Sequence, residues 1–183
     1  MAGKNRALLS EDSRLLFENC IDSKEQKRKC VFISHKSSDM DTAQKVAEYL
    51  MNNDIDVYLD KLDTGLQKAV RVNDAQGIVN SINRALMCST DILVLVSNQT
   101  QVSWWVPYEV GYAKKGNKKI ASALLVGNVD GFPDYLKIER MIKGASDFKN
   151  YVLELKGRGK RYGSLFESAS EPENLSKYIR SVI

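Results

Sequence analysis

Apolar residues along the chain alternate between short continuous runs and stripes with helical spacing. The run at residues 30–33 is followed by the polar segment SHKSSD and then by apolar side chains at i, i+3 and i+4 positions. Continuous apolar runs are typical of strands buried on both faces, and a 3.6-residue stripe is typical of a helix packed on a sheet. The pattern predicts a strand, a loop and a helix whose buried stripe is Ala43, Val46, Ala47, Leu50 and Met51.

The same alternation repeats along the next part of the chain. Further β-rich runs lie at residues 55–59, 92–96 and 120–126. The helices between them have an apolar stripe at Ile78, Val79, Ile82, Ala85 and Leu86, and a segment 104–115 closed by Gly116-Asn117. Strands that alternate with helices form right-handed crossovers. We therefore predict an α/β fold, a flavodoxin-like doubly wound parallel sheet of four to five strands with helices on both faces.

The connection at residues 60–75 is longer than the two to six residues that usually join a strand to a helix. Long loops of this kind are often functional, although a mobile surface insertion has the same signature. Its basic residues Lys61, Lys68 and Arg71 fit either interpretation.

The two ends of the chain carry weaker signals. Residues 1–29 are predicted to form a helical extension built on Leu15, Leu16 and Phe17, so the main domain would span 30–183. A C-terminal helix is expected at about 171–183 and should pack on the core through Leu175, Tyr178, Ile179 and Val182. The basic stretch at 156–161 is predicted to be a flexible turn.

Composition indicates one globular domain in a chain of 183 residues, of which 43% are apolar and 27% charged. The net charge of +4 is interleaved along the chain, which does not favour nucleic-acid binding. The sequence shows neither a signal peptide nor a run long enough to span a membrane. Three widely spaced cysteines, Cys20, Cys30 and Cys88, indicate neither a disulfide framework nor a zinc ribbon, so a cytoplasmic location is expected.

Polar side chains follow the predicted strands where a ligand crevice is expected, at the carboxyl edge of the sheet. The start of the third helix adds aromatic residues and a carboxylate. These candidates are Ser34, His35, Lys36, Ser37, Asp60, Lys61, Ser97, Asn98, Trp104, Trp105, Tyr108 and Glu109. Together they offer hydrogen-bond donors and a lysine for a phosphate, aromatic faces for a base, and one acid.

Several other chemistries lack the residues they need. The chain has neither a phosphate-binding P-loop nor a dinucleotide glycine fingerprint, and no nucleophile elbow supplies a catalytic serine. Because His35 is the only histidine, no histidine metal site is expected, and His35 itself is predicted to be a strand-end residue bonded to a loop.

Four segments in order resemble the successive motifs of the TIR domain family over residues 30–126. These are VFISHKSSD, DIDVYLDKLDTG, DILVLVSNQT and SWWVPYEVGYA. The pattern of Ser103, Trp105 and Glu109 resembles that of TIR domains that cleave NAD⁺. The resemblance implies a catalytic role for Glu109 and substrate binding by Ser34, His35, Lys36, Ser37, Asp60, Ser103 and Trp105. Residues 60–75 match the so-called BB loop, but the segment is longer here and lacks the common aromatic residue.

The chemistry of NAD⁺ is compatible with a single carboxylate. Nicotinamide leaves a pyridinium as a neutral base, so no general acid has to protonate it. Taken alone, Glu109 would be interpreted as an exposed helix residue. Its position within the four TIR-like motifs favours a catalytic role instead. Adjacent helix residues point about 100° apart. Trp105 is therefore assigned to the site and Trp104 to core or interface, with Pro107 and Tyr108 in packing roles.

The leading hypothesis is a stand-alone NAD⁺ glycohydrolase or ADP-ribosyl cyclase with NAD⁺ as substrate and no other cofactor or metal. The family resemblance implies self-association through the BB loop and a role in bacterial anti-phage defence of the Thoeris type, where a separate effector senses the cyclic product. Two alternatives stay open: a non-catalytic TIR scaffold that binds other TIR domains, and an enzyme similar to nucleoside deoxyribosyltransferases.

Overall fold

Five parallel strands form one sheet in the computed structural model, which describes residues 2–9, 29–125, 132–157 and 177–179. The strands are β1 (Cys30–Ser34), β2 (Asp56–Tyr58), β3 (Asp91–Val96), β4 (Lys119–Leu124) and β5 (Arg140–Ile142). Their order is β2-β1-β3-β4-β5, and every neighbouring pair is parallel. The predicted flavodoxin-like doubly wound sheet is confirmed, with five strands.

Helices cover both faces of this sheet. They are α1 (Met40–Asn52), α2 (Thr64–Arg71), α3 (Ala75–Met87), α4 (Trp105–Lys115), α5 (Asp134–Lys137) and α6 (Ala145–Leu155). In β1, β3 and β4, odd-numbered residues such as Ile33 and Leu93 pack against α1 and α6, and even-numbered ones such as Phe32 and Val94 pack against α3 and α4. This alternation is the two-residue period of a strand buried on both faces.

Residues 60–75 are largely helical, so the prediction of a long loop was wrong. A 3₁₀ turn at Asp60–Leu62 leads into α2, and α3 begins four residues after α2 ends. An Asp63 carboxylate oxygen accepts a hydrogen bond from the Leu66 amide at 2.9 Å, which caps α2. Leu66 and Ala69 are buried one turn apart, and this short stripe was the signal in the sequence.

The first residues of the chain pack beside β2. Arg6 is 2% exposed, and its guanidinium contacts the buried Asp56 carboxylate at 2.7 Å. The Val57 amide donates to the Lys4 carbonyl at 3.0 Å, and Ala7 is fully buried. Residues 2–9 therefore pack against the edge strand β2 of the sheet. The predicted helix around Leu15, Leu16 and Phe17 lies outside the described residues, and the proposed domain boundary at residue 30 stays a prediction.

The C-terminal part differs from the predicted helix where the structure describes it. Residues 177–179 form a turn that ends in an antiparallel bridge between Ile179 and Leu125. Ile179 is 1% exposed, so its predicted packing on the core is confirmed. Leu175 and Val182 lie outside the described residues, as does most of the basic stretch at 156–161. Neither β5 nor α6 was predicted from the sequence, although the buried residues of α6 have helical spacing: Phe148, Tyr151, Val152 and Leu155.

Two further observations concern the cysteines and the length and polarity of the helices. Cys30 is a buried free thiol, whereas Cys88 is in a disulfide bond, which the number and spacing of the cysteines did not predict. Among the described residues, every helix is too short or too polar to cross a bilayer.

Candidate active site

The site lies at the carboxyl edge of the sheet, between the neighbouring strands β1 and β3. After β1 the chain turns to the face covered by α1, and after the neighbouring β3 it turns to the opposite face, where α4 packs. Adjacent strands whose connections diverge in this way leave a crevice, which is the usual ligand position in open α/β sheets. Ser34 ends β1 at this crevice, and Glu109 reaches it from α4.

Ser34 and Glu109 form the central contact of the site. The Ser34 Oγ donates a hydrogen bond to Glu109 Oε2 at 2.5 Å, and the two residues are 1% and 8% exposed. Glu109 belongs to the buried stripe of α4, together with Val106, Val110 and Ala113. A glutamate in an otherwise apolar stripe is unusual, because burial disfavours a charged carboxylate unless a hydrogen bond or an opposite charge stabilises it.

The surroundings of Glu109 favour its protonated form. The pKa of Glu109 is raised to about 8, chiefly by burial. The hydrogen bond from Ser34 opposes this rise, and the nearby charge of Asp60 adds to it. Without a ligand, the Glu109 carboxyl is therefore mostly neutral at pH 7. Strongly shifted carboxyl groups in a crevice are characteristic of functional sites.

His35 and Asp60 form the second wall of the crevice. His35 Nδ1 lies 3.1 Å from the Ile33 carbonyl, which can only accept, so Nδ1 carries a hydrogen. Its bond therefore goes to a strand carbonyl rather than to a loop as predicted. His35 Nε2 points towards Asp60 Oδ1 at 3.8 Å, which is too long for a direct hydrogen bond. In the part of the chain that the structure describes, Asp60 Oδ1 is buried without a hydrogen-bond partner, and burial raises the pKa of Asp60.

The loop after β1 carries Lys36 and Ser37 at the same edge of the sheet. Lys36 is half-buried and Ser37 is exposed, and a 3₁₀ turn at Ser37–Asp39 follows. Asp39 accepts a hydrogen bond from the Ser97 hydroxyl at 2.6 Å, which ties the loops after β1 and β3 together. No local sequence pattern predicted this pair, because its members are 58 positions apart.

The remaining predicted site residues lie at the start of α4. Trp105 is 40% exposed, one helical turn before Glu109, and its ring meets Tyr108 edge-on at 6.0 Å. Ser103 is buried, and its hydroxyl accepts a hydrogen bond from the Val106 amide at 3.3 Å, so this contact caps the helix. The structure thus places Ser103 beside the site in a supporting position, and its role in substrate binding stays a prediction.

Three neighbouring residues were predicted to be in core, interface or packing positions. Trp104 is 91% exposed, which excludes the core, and an interface role for it stays a prediction. Pro107 is exposed, so the packing predicted for it was wrong. Tyr108 packs as predicted, and its hydroxyl donates to Asn83 Oδ1 at 2.7 Å.

The described residues contain no cluster of His, Cys, Asp and Glu that could hold a metal ion. Fold and site together define an α/β domain with a buried, protonatable glutamate at the topological switch point of a parallel sheet. The sequence model of the TIR domain matches residues 31–150, and the chain belongs to the TIR domain family. Among curated proteins, no sequence matches the chain.

Proposed function

We propose that the protein cleaves NAD⁺ at the bond between nicotinamide and ribose, with Glu109 as the catalytic residue. The observation that carries this proposal is the buried contact between Ser34 and Glu109 at the carboxyl edge of the sheet. TIR domains include both NAD⁺-cleaving enzymes and scaffolds. A scaffold does not need a carboxyl group held in a crevice at a cost in desolvation.

The proposed role of Glu109 is electrostatic. When the glycosidic bond breaks, its electron pair passes to the pyridinium nitrogen and nicotinamide leaves neutral, while positive charge develops on the ribose. An ionised Glu109 stabilises this oxocarbenium-like transition state and can hold the ribose hydroxyls. The cationic nicotinamide ribose favours ionisation of Glu109 on binding, because an opposite charge lowers a carboxyl pKa.

The other residues of the crevice are proposed to bind the rest of the dinucleotide. Asp60 Oδ1 is an acceptor without a partner among the described residues and suits a substrate hydroxyl. Lys36 carries a cation that suits the pyrophosphate, with His35 and Ser37 beside it. The half-exposed Trp105 offers a ring face to a base or a ribose.

The acceptor that attacks the ribose determines the product. Water yields ADP-ribose, and the adenine or ribose of the substrate itself yields a cyclic ADP-ribose isomer. A cyclic isomer would serve as a signal for a separate effector, in keeping with a role in anti-phage defence. We include a cytoplasmic location in this proposal. The disulfide bond of Cys88 is an observation against that location, because disulfide bonds are rare in reducing compartments.

A scaffold is the second candidate, and the surface of the segment 60–75 favours it. Three apolar side chains of this segment are exposed: Leu62 by 44%, Val70 by 50% and Val72 by 66%. Exposed apolar side chains of this kind are suited to contact with a second copy of the chain. Self-association through this segment is compatible with the enzyme as well. If a neighbouring copy completes the crevice, activity per molecule falls on dilution, and constant activity would exclude that requirement.

The deciding experiment is chromatography of NAD⁺ incubated with concentrated wild-type protein, Glu109→Gln and Glu48→Gln. Glu48 lies on α1 and pairs with Lys45 at the surface, so it is a matched control. We expect nicotinamide release by the wild type and Glu48→Gln and its loss in Glu109→Gln. Absence of release from all three, with self-association seen by light scattering, would contradict the enzyme and support the scaffold.

A further inference from the structure

A second concavity, of about 320 Å³, lies at the amino edge of the sheet, opposite the edge that holds Glu109. Asp91 begins β3 and Lys119 begins β4, and the sheet register places these residues side by side. Tyr151 and Leu155 of α6 line the cavity from the helical layer. Its volume is at the lower end of the range for small-molecule sites, which starts at about 300 Å³.

Tyr151 contributes a polar group that nothing in the described chain satisfies. The residue is 5% exposed, and its hydroxyl is buried without a hydrogen-bond partner among the described residues. This hydroxyl interacts electrostatically with Asp91, Arg140 and Glu154. Because all three residues also line the cavity, the hydroxyl end of the ring faces the cavity. Burial raises the pKa of Tyr151, so the hydroxyl stays protonated and can donate. Native proteins rarely leave such a group unpaired.

Most of the charges around the cavity are already paired. Lys29 binds Asp91 at 2.9 Å, and Arg140 binds Glu154 and, at 3.1 Å, Asp147. Lys118 donates to the Ser89 carbonyl at 2.5 Å.

The fourth cation of the lining, Lys119, is exposed, and its ammonium has no partner within the described ranges. The carboxylate of Glu139 binds Lys114, so it does not neutralise Lys119. The cavity therefore presents one unpaired cation and one unpaired hydroxyl donor.

We propose that this cavity binds a small organic monocarboxylate. One carboxylate oxygen accepts from the Tyr151 hydroxyl and the other contacts the Lys119 ammonium, which satisfies both groups at once. The single negative charge of the ligand suits a lining in which, of the cations among the described residues, only the Lys119 ammonium has no hydrogen-bond or ion-pair partner. A phosphate dianion would place surplus negative charge beside Asp91 and Glu154. Buried Ile120 and Leu155 offer apolar contact to the hydrocarbon part of the ligand.

The test is an amide NMR titration of the whole chain with sodium benzoate. Benzamide serves as the neutral isostere and inorganic phosphate as the dianion. We expect saturable shifts at the amides of Lys119 and Tyr151, with benzoate binding about tenfold or more tightly than either comparison compound, the size of one charge-assisted hydrogen bond. Absence of saturation, shifts confined to the Glu109 edge, or phosphate binding as tightly as benzoate would overturn the proposal.

Two variants test the assigned contacts. Tyr151→Phe removes only the hydroxyl, and Lys119→Gln removes only the charge; each should weaken benzoate binding about tenfold. Lys115→Gln, an exposed lysine of α4 outside the cavity, should bind as the wild type does. Tyr151→Phe should also keep the thermal midpoint without benzoate, because an unpaired hydroxyl contributes no hydrogen bond to stability. A lowered midpoint, or unchanged benzoate affinity in both cavity variants, would contradict the assignment.

Discussion

The Ser34 hydroxyl and the Glu109 carboxyl meet at 2.5 Å although 75 positions of sequence separate them. The parallel sheet produces this encounter, because β1 ends where the helix after β3 passes over it. The hydroxyl opposes the rise in the pKa of Glu109 that burial causes. The balance of these two effects determines the pH at which the carboxyl ionises.

The proposed NAD⁺ cleavage should therefore depend on pH through Glu109. The ionised form stabilises the transition state, so kcat/KM should rise with pH and level off above about 8, the pKa of the free site. Removing the hydrogen bond in Ser34→Ala disfavours the charged form and should move this rise to higher pH. Ser38→Ala, an exposed serine in the same loop, should leave it in place. An unshifted profile in Ser34→Ala would show that another group controls the rate.

Asp60→Asn should move the same profile in the opposite direction. The charge of Asp60 raises the pKa of Glu109, so its removal favours ionisation and shifts the rise in kcat/KM to lower pH. Asp60 is also proposed to bind substrate, which changes the height of the profile but not its position along the pH axis. If the pH profiles of Ser34→Ala and Asp60→Asn moved in the same direction, the proposed electrostatic control of Glu109 ionisation would be contradicted.

Glu109→Gln should change how stability depends on pH. The folded-state pKa of about 8 lies above the ordinary value of 4.5, so between these values the folded protein holds a proton that the unfolded chain releases. This contribution to stability is fully present below pH 4.5 and is lost as pH rises through about 8. At about 1.4 kcal/mol per pH unit, it reaches on the order of 5 kcal/mol.

The glutamine variant lacks this ionisation. Its free energy of unfolding relative to wild type should therefore increase from pH 5 to pH 8 in denaturant titrations. A constant difference over that interval would mean that Glu109 titrates near its ordinary value.

Asp63→Ala should destabilise the segment at residues 60–75. Asp63 is fully buried, caps α2 through the Leu66 amide and accepts a hydrogen bond from the Tyr58 hydroxyl. Loss of the cap and of a partner for a buried hydroxyl together cost about 2–4 kcal/mol. Asp74→Ala removes only an exposed cap of α3 and should cost about 1 kcal/mol. Equal losses, measured by urea unfolding, would contradict the role assigned to Asp63.

The sequence predicted the fold where periodicity was strong and missed it where elements were short or ambiguous. The stripes of α1 and α3 identified both helices, whereas α2 has only Leu66 and Ala69 on its buried side, next to a glycine that weakens any helical pattern. For the site, the residues that follow each strand indicated Ser34 and Asp60 because parallel strands bring their carboxyl ends together. The link between Asp39 and Ser97 depends on how loops meet in space, which no local pattern encodes.

The buried ion pair of Arg6 and Asp56 shows that the folding unit is larger than the family match at 31–150. A fragment cut to the boundaries of that match keeps Asp56 and loses its guanidinium. Breaking a buried pair by removing one member costs about 3–5 kcal/mol, a large part of the stability of an ordinary domain. Shortened versions should therefore retain the first nine residues or replace Asp56. Inactivity of a fragment without them would report unfolding and would reveal nothing about catalysis.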